Sequence, residues 1–473
     1  MLDYKNRLDS YFCLGVICQD RPVFSRFNDV FLPFFPIEFL GIGMASDTKN
    51  NRQLVPVIRC PHCWHEFSPD LMHYISTSQV KGLDFDHRLP EGRRRFLPSK
   101  FHVNGNAIDP EGGSCHETAC PNCHLKIPRL MAQSETQSFS IFGSPASGKS
   151  YILAAMTHKL RTCMSELGIA FDDADREGNA ILQDYEDELF RQATKITKVR
   201  LKKTDVFGDW YNRVTFGIHE KILPKPFLFS IKLMDNHPNY ERVSSTSKII
   251  CLYDNAGESF QPGFETEDNP VTRHMAHAKG LFFVLDPTQE PTFRGACSQH
   301  STDPQWSGKN LSRQDTLLGE AISRIRVFGA MAPQDKINTP LVVILQKFDA
   351  WNFLLKTDRI PNPWEKDPAG VCRMRFDIVQ DISNRCRELL AKYLNPMLMN
   401  IESNFYSKQI FYIPVSAMGC GPSRDESGYY HLAGDINPMW AEVPILTMLK
   451  LNVNEFLPNL QKATSEATRR TNS

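Results

Sequence analysis

Apolar and polar positions are organised differently on the two sides of residue 135. Residues 1–134 carry only short apolar runs broken by Pro, His, Arg and Cys, and they predict a loop-rich region with little core of its own. From Gln137 onward, short β-type runs alternate with stretches of helical period, the order expected of an α/β fold on a parallel sheet. Runs at 138–142, 280–285, 341–345 and 410–415 predict strands, and runs at 226–234 and 248–253 predict a hairpin or adjacent pair. Helical periodicity predicts helices over 149–167, 314–328, 375–393 and 443–451. The expected division is 1–134, 135–462 and a small polar tail at 463–473, disordered by composition. There is no internal repeat.

Composition narrows the function classes. With 41% hydrophobic and 23% charged residues, the 473-residue chain is ordinary for globular protein and unlike a disordered, fibrous or polytopic membrane chain. Its length suits two or three domains. Lys+Arg and Asp+Glu both number 54, so no global positive charge exists to hold a nucleic-acid backbone, and only a local patch would serve. The most apolar early stretch, 30–44, is interrupted by Pro33, Pro36 and Glu38 and is shorter than the roughly 20 residues of a membrane span. It is read as an extended buried segment, and no membrane span is expected. The first ten residues lack the basic-then-apolar order of a secretory leader. A cytoplasmic location follows, in which the thirteen cysteines are thiols or metal ligands.

Gly143-Ser-Pro-Ala-Ser-Gly148-Lys149-Ser150 fits G-x-x-x-x-G-K-[ST] between a predicted strand and a predicted helix, the context a phosphate-binding loop requires. Gly143, Ser144, Ala146, Ser147, Gly148 and Tyr151 are expected at the nucleotide, with backbone N–H groups turned inward around the phosphates. Lys149 reaches the β- and γ-phosphates and Ser150 ligates Mg2+. At the end of the 248–253 run, Asp254-Asn-Ala-Gly257 fits D-x-x-G: Asp254 holds Mg2+ through water and the Gly257 N–H senses the γ-phosphate. The 341–345 run leads into Gln346-Lys347-Phe-Asp349, whose last three positions match N/T-K-x-D. There Asp349 accepts the N1 and N2 hydrogens of guanine and the Lys347 stem covers the base. The 410–415 run ends at Ser416-Ala417, an element that meets the guanine oxygen with backbone N–H.

This succession of motifs at strand ends resembles the translation-factor-related (TRAFAC) GTPases, a class that includes Ras-like proteins, over about residues 137–455. The resemblance implies a P-loop NTPase three-layer α/β sandwich, GTP and GDP as ligands, and GTP hydrolysis as the activity. Gln346 departs from the Asn or Thr of that class, which puts bracing of the phosphate loop in question. Glu258 stands where Ras-like proteins have Gln and translation factors have His. A carboxylate orients water but brings negative charge toward the γ-phosphate, so slow hydrolysis without a partner or self-association is expected. The Mg2+-sensing threonine is sought among Thr194, Thr197, Thr204 and Thr215. Thr204 is preferred because it follows Lys202 and Lys203 and leaves room for a loop. Nearby, 172–188 holds eight acids against Arg176, and 191–203 holds six bases and no acid. This charge pattern suits a solvated helix with its continuation. The alternative is a nucleotide-responsive insertion that docks a partner or offers Arg191 or Arg200 as an arginine donor.

Cys60-Pro-His-Cys63 and Cys120-Pro-Asn-Cys123 are two C-x-x-C knuckles, where only about 0.4 such pairs are expected by chance at this cysteine content. Together they supply a tetrahedral four-thiolate zinc site, which would stabilise a region poor in core. Cys115, His62, His65, His116 and His124 are substitute ligands by type, and redox chemistry is the competing use of the pairs. Cys13 and Cys18 form a weaker pair. The long interval 64–119 predicts an inserted subdomain. Within it Arg88, Arg93, Arg94, Arg95 and Lys100, near Phe96 and Phe101, suit contact with nucleic acid, whereas Asp84, Asp86 and Glu91 suit a solvated loop.

Zinc knuckles ahead of GTPase motifs are similar to the double-GTPase (DO-GTPase) families of bacterial antiviral conflict systems. CPHCWHEF, ACPNCHLKIPR, FGSPASGKS, LYDNAGESF, LFFVLDP and LQKFDAW carry the resemblance. It implies a GTP-driven switch that licenses partner proteins encoded nearby. Two other readings stay open. One is a zinc-ribbon nucleic-acid-binding or scaffold protein with nucleotide as a structural ligand. The other is a P-loop ATPase, against which the guanine motifs stand.

Overall fold

The apolar runs become strands of one seven-stranded sheet: β1 (Glu135–Gly143), β2 (Ile169–Asp173), β3 (Phe227–Leu233), β4 (Ser247–Asp254), β5 (Gly280–Leu285), β6 (Leu341–Leu345) and β7 (Ile410–Pro414). Their order is β2-β3-β4-β1-β5-β6-β7. Strands β4, β1, β5, β6 and β7 run parallel, while β3 is antiparallel to both β2 and β4. Every residue of β5, β6 and β7 is buried, the mark of parallel strands covered on both faces. Phe142 of β1 stacks on Phe283 of β5 with centroids 5.2 Å apart. Burying each such ring contributes about 1.5–3 kcal/mol. The computed structural model describes residues 54–76, 93–145, 147–191, 211–243, 247–255, 257–260, 272–298, 314–356, 360–367, 370, 372–424, 430–432 and 435–458.

Parallel neighbours need crossover connections, and helices occupy them. These are α1 (Lys149–Glu166) after β1, α2 (Gln314–Phe328) between β5 and β6, α3 (Phe376–Tyr393) between β6 and β7, and α4 (Val443–Asn452) after β7. All four lie within one residue of the periodicity-based bounds. None of the described helices is long and apolar enough to cross a membrane.

Three features depart from the sequence pattern. The sheet is mixed rather than parallel. Its edge strand β2 takes up Asp172 and Asp173, so the acidic run is not one solvated helix. Asp173 accepts from both terminal nitrogens of Arg161 on α1, at 3.1 and 3.2 Å, and the Arg161 Nε donates to Glu186 at 3.1 Å. The acids thus anchor β2 and the short helix Ala180–Glu186 to α1. Finally, Tyr211–Phe216 and His219–Pro224 form a hairpin, with Thr215 at an exposed position on it. The stretch 30–44, Cys13, Cys18, Arg88, Thr194, Thr197, Thr204, Arg200 and the tail 463–473 lie outside the described residues.

The cysteine region is built from strands of two or three residues. Side chains along β3 and β4 alternate between two cores. Phe227, Phe229, Ile231, Ile250 and Leu252 join the main core with α1. Leu228, Ile249, Cys251 and Tyr253 instead join Cys60, Cys120, Cys123, Ile58 and Phe67. The cysteine region therefore covers one face of the sheet, and the described residues belong to a single unit.

Candidate functional site

The sequence motifs meet at the carboxyl edge of the parallel strands, where open α/β sheets bind ligands. β1 ends at Gly143 and α1 begins at Lys149, with Gly148 between them at φ 82°, a left-handed conformation that favours glycine. Lys149 is buried and donates to the Gly143 and Ser144 carbonyls, each at 2.9 Å, so its ammonium already lies inside the loop. The Ser144 and Ser147 hydroxyls are buried with no hydrogen-bond partner among the described residues. Such groups carry a desolvation cost that an incoming anion would remove. The first turn of α1 adds the positive end of its dipole at the same place. Ser150 and Tyr151 stand half-buried in that turn. Ala146 lies outside the described residues.

Asp254 closes β4 and is level with Ile141 of the neighbouring β1. Asn255 is fixed next to it, with its N–H and Nδ2 both donating to the Ile141 carbonyl at 3.2 and 2.8 Å. Gly257 opens a turn, Gly257–Phe260, and any Cβ there would strike Pro145 of the phosphate loop. The two motifs are thus in backbone contact. Glu258 is part of that turn, while its side chain is not among those described.

The Gln346–Asp349 and Ser416–Ala417 segments reach the same edge. Lys347 takes φ 57° and pairs with the fully buried Asp286 at 3.0 Å. Asp349 accepts a hydrogen bond from the Ser416 hydroxyl, which itself accepts from the Gly419 N–H at 2.8 Å. Ala417 follows, buried. The Gln346 side chain lies against Gly148, where a Cβ would collide with its amide. Gln346 therefore packs against the phosphate loop from the position where its motif departs from Asn or Thr. Its Oε1 has no partner among the described residues.

The four cysteines Cys60, Cys63, Cys120 and Cys123 come together with all Sγ atoms within 4.8 Å of one another. Cys60–Cys123 is 3.7 Å and Cys63–Cys120 is 3.8 Å. Four ligands at about 2.3 Å around a tetrahedral zinc ion would lie about 3.8 Å apart, so the donor set fits that metal. With no metal bound, hydrogen bonds among the thiols lower the pKa of Cys63 and Cys120, and burial raises that of Cys60. Both knuckles share one turn: Cys60 N–H donates to His65 O, and Cys120 N–H to Leu125 O. The candidate substitutes lie elsewhere. His62 approaches Lys126 O at 3.1 Å, and burial lowers its pKa. The Cys115 thiol donates to Asp109. Within the insertion, Arg93 pairs with Glu117 and Arg95 donates to Pro121 O.

Some residues at this edge escaped the sequence. Asp286 follows β5, accepts from Thr288 N–H and hydroxyl, and is bracketed by the Gln314 amide. A buried run ending in Asp-Pro was the available signal. Arg324 of α2 donates to the Ser259 carbonyl and lies over the Phe260 ring at 5.3 Å, holding the turn after D-x-x-G. Nothing in the local sequence marks it.

No family model matches the chain. Over 176 residues it is 24% identical to the "Putative ESX-1 scaffolding and assembly protein SaeC" of Mycolicibacterium smegmatis, which covers 37% of this chain and 39% of that protein. Similar solved structures include the S. cerevisiae Ski7 GTPase-like domain bound to GTP, with 14% identity and TM-score 0.26 over 70% of this chain and 52% of that one. The same domain bound to GDP and inorganic phosphate gives 13% and 0.25 over the same shares. Sup35 complexed with GDP gives 12% and 0.21 over 60% of this chain and 38% of that one. The chain thus spans about half or less of each of these proteins. Strand order and motif placement, rather than these alignments, describe the site.

Proposed function

We propose that the chain is a GTP-binding and GTP-hydrolysing switch on a Ras-like P-loop fold, with a structural zinc in the cysteine knuckles. The division into a zinc region at 1–134, a GTPase region at 135–462 and a tail is part of this proposal, as is a cytoplasmic location. The main support is convergence: the phosphate loop, Asp254-Gly257, Lys347-Asp349 and Ser416-Ala417 occupy the ends of four parallel strands on one edge. In this reading Lys149 and the N-terminus of α1 hold the phosphates, and Asp349 reads guanine while Ser416 orients it. Ser150 and Asp254 would hold Mg2+, which when bound neutralises charge on the β- and γ-phosphates. Gly257 senses the γ-phosphate. Glu258 orients water at the cost of added negative charge, which supports slow hydrolysis in the absence of a partner or self-association.

A binding panel with ATP, GTP and GDP tests this. GTP and GDP are expected to bind and ATP to fail, and Lys149→Ala is expected to lower hydrolysis about 100-fold or more. Asp349→Asn is expected to move preference toward xanthosine triphosphate. A preference for ATP, or hydrolysis untouched by Lys149→Ala, would sink the proposal.

The match to a protein named for ESX-1 scaffolding and assembly supports a second reading, in which the switch serves assembly of a protein complex. The DO-GTPase resemblance supports partners encoded nearby and an antiphage role. In either case partner capture should differ between the GTP-loaded and GDP-loaded chain. Contact with nucleic acid through the Arg88–Lys100 segment is the rival, and salt-dependent RNA binding indifferent to nucleotide would favour it.

A further inference from the structure

Trp64 directly follows the second cysteine of the first knuckle and has a left-handed backbone, φ 59°; His124 holds the same place in the second, at φ 65°. A residue with a Cβ spends roughly 1–2 kcal/mol there that glycine does not. The Trp64 ring is engaged: it stacks on His274 with centroids 6.0 Å apart and planes 26° apart. His274 stacks in turn on Tyr253, at 4.1 Å. Tyr253 immediately precedes Asp254, and its hydroxyl donates to the Pro61 carbonyl inside the same knuckle at 2.6 Å. His274 Nε2 lies 3.1 Å from the Ser140 hydroxyl and 3.4 Å from Asn255 Nδ2, the residue after Asp254. Tyr253, His274, Ser140 and Asn255 are all at most 3% exposed, so this path is dry and closely packed.

We propose that the first cysteine knuckle is a positioning element for the D-x-x-G segment, acting through Trp64, His274 and Tyr253. As a consequence, the metal at the four cysteines and the γ-phosphate at the nucleotide site are energetically coupled. The inference rests on the reading of the chain as a GTP switch. Asp254 and Asn255 are held by β1 on one side and by the knuckle stack on the other. A segment that responds to a γ-phosphate must carry that stack with it or work against it. Coupling of this kind is reciprocal: what the γ-phosphate does to the knuckle, the knuckle's metal does to γ-phosphate affinity, by the same factor.

Trp64→Gly in the full chain separates positioning from mere support, because glycine suits φ 59°. Zinc content and GDP affinity are expected to stay at the wild-type level, while the thermal midpoint falls with the lost indole packing, partly offset by relief of the left-handed backbone. The ratio of GTPγS to GDP affinity is expected to fall about fivefold. In the wild-type chain, zinc release to a chelating dye is expected to be about fivefold slower with GTPγS than with GDP, and Trp64→Gly should erase that difference. His274→Gln should lower the affinity ratio in the same direction. Zinc release from the wild type that ignores the nucleotide overturns the inference, and this measurement decides even if Trp64→Gly loses its metal. A wild-type chain that binds neither GTPγS nor GDP overturns the switch reading itself, and the inference with it.

Discussion

In the cysteine region, strands run two or three residues and the knuckle turns are fixed by four thiols around one point. At the carboxyl edge of the sheet, the loops leave strands of five to nine residues whose side chains fill a large apolar core. Loop geometry is thus tied to a cluster of four thiols in one region and set from beneath by packed strands in the other. The difference teaches where each region is vulnerable: the first to loss of a cysteine, the second to loss of packing or of a buried polar tie.

The largest expected effect follows from the first vulnerability. A structural zinc contributes on the order of 10 kcal/mol to a small metal-nucleated fold. Cys120→Ser is therefore expected to destabilise the chain more than Phe283→Ala, which should cost about 3–5 kcal/mol by leaving a cavity between β1 and β5. Urea unfolding of both variants ranks them, and a Cys120→Ser chain as stable as wild type would break the contrast. Next comes Asp286→Asn. It leaves Lys347 without its buried carboxylate, and a loss of about 2–3 kcal/mol with weaker GTP binding is expected. An unchanged urea midpoint and GTP affinity would show that the end of β6 does not depend on this pair. The smallest effect is expected at the seam between the regions. Tyr253→Phe removes the hydrogen bond to Pro61 and should cost about 1 kcal/mol. Burial raises the Tyr253 pKa well above 10. The phenol stays protonated, and that loss should be equal at pH 7 and pH 9, both below the unfolded-state value. A cost that vanishes by pH 9 would show that the hydroxyl does not hold the seam.

Much of this was legible because it is local. The runs at β5, β6 and β7 are apolar at nearly every position, since both faces are covered, and such runs are recognised without knowing their neighbours. The phosphate loop and the two knuckles are contiguous motifs whose chemistry depends on spacing along the chain. Edge strand β2 was not legible. Ile169–Asp173 ends in two acids and becomes a strand because it pairs with β3 and because Arg161 neutralises Asp173. Gln346 was legible as a departure from its motif but not in effect, since its contact with Gly148 joins residues nearly two hundred positions apart.

The sequence by itself determined the local motifs: a G-x-x-x-x-G-K-S loop with glycine at a left-handed position, Asp254 at the end of β4, Asp349 shortly after β6, and two C-x-x-C turns. Each follows from residues within a single turn or strand. Only the tertiary structure decided that Asp286 would hold Lys347, that Arg324 would hold the turn after Gly257, and that the first knuckle would lie against Tyr253 and His274. The last of these contacts follows from the alternation of side chains on β3 and β4, which leaves one face of the sheet for the cysteine region to cover. The physical reason is burial: an apolar sheet face must be covered, and which segment covers it is set by packing across the whole chain.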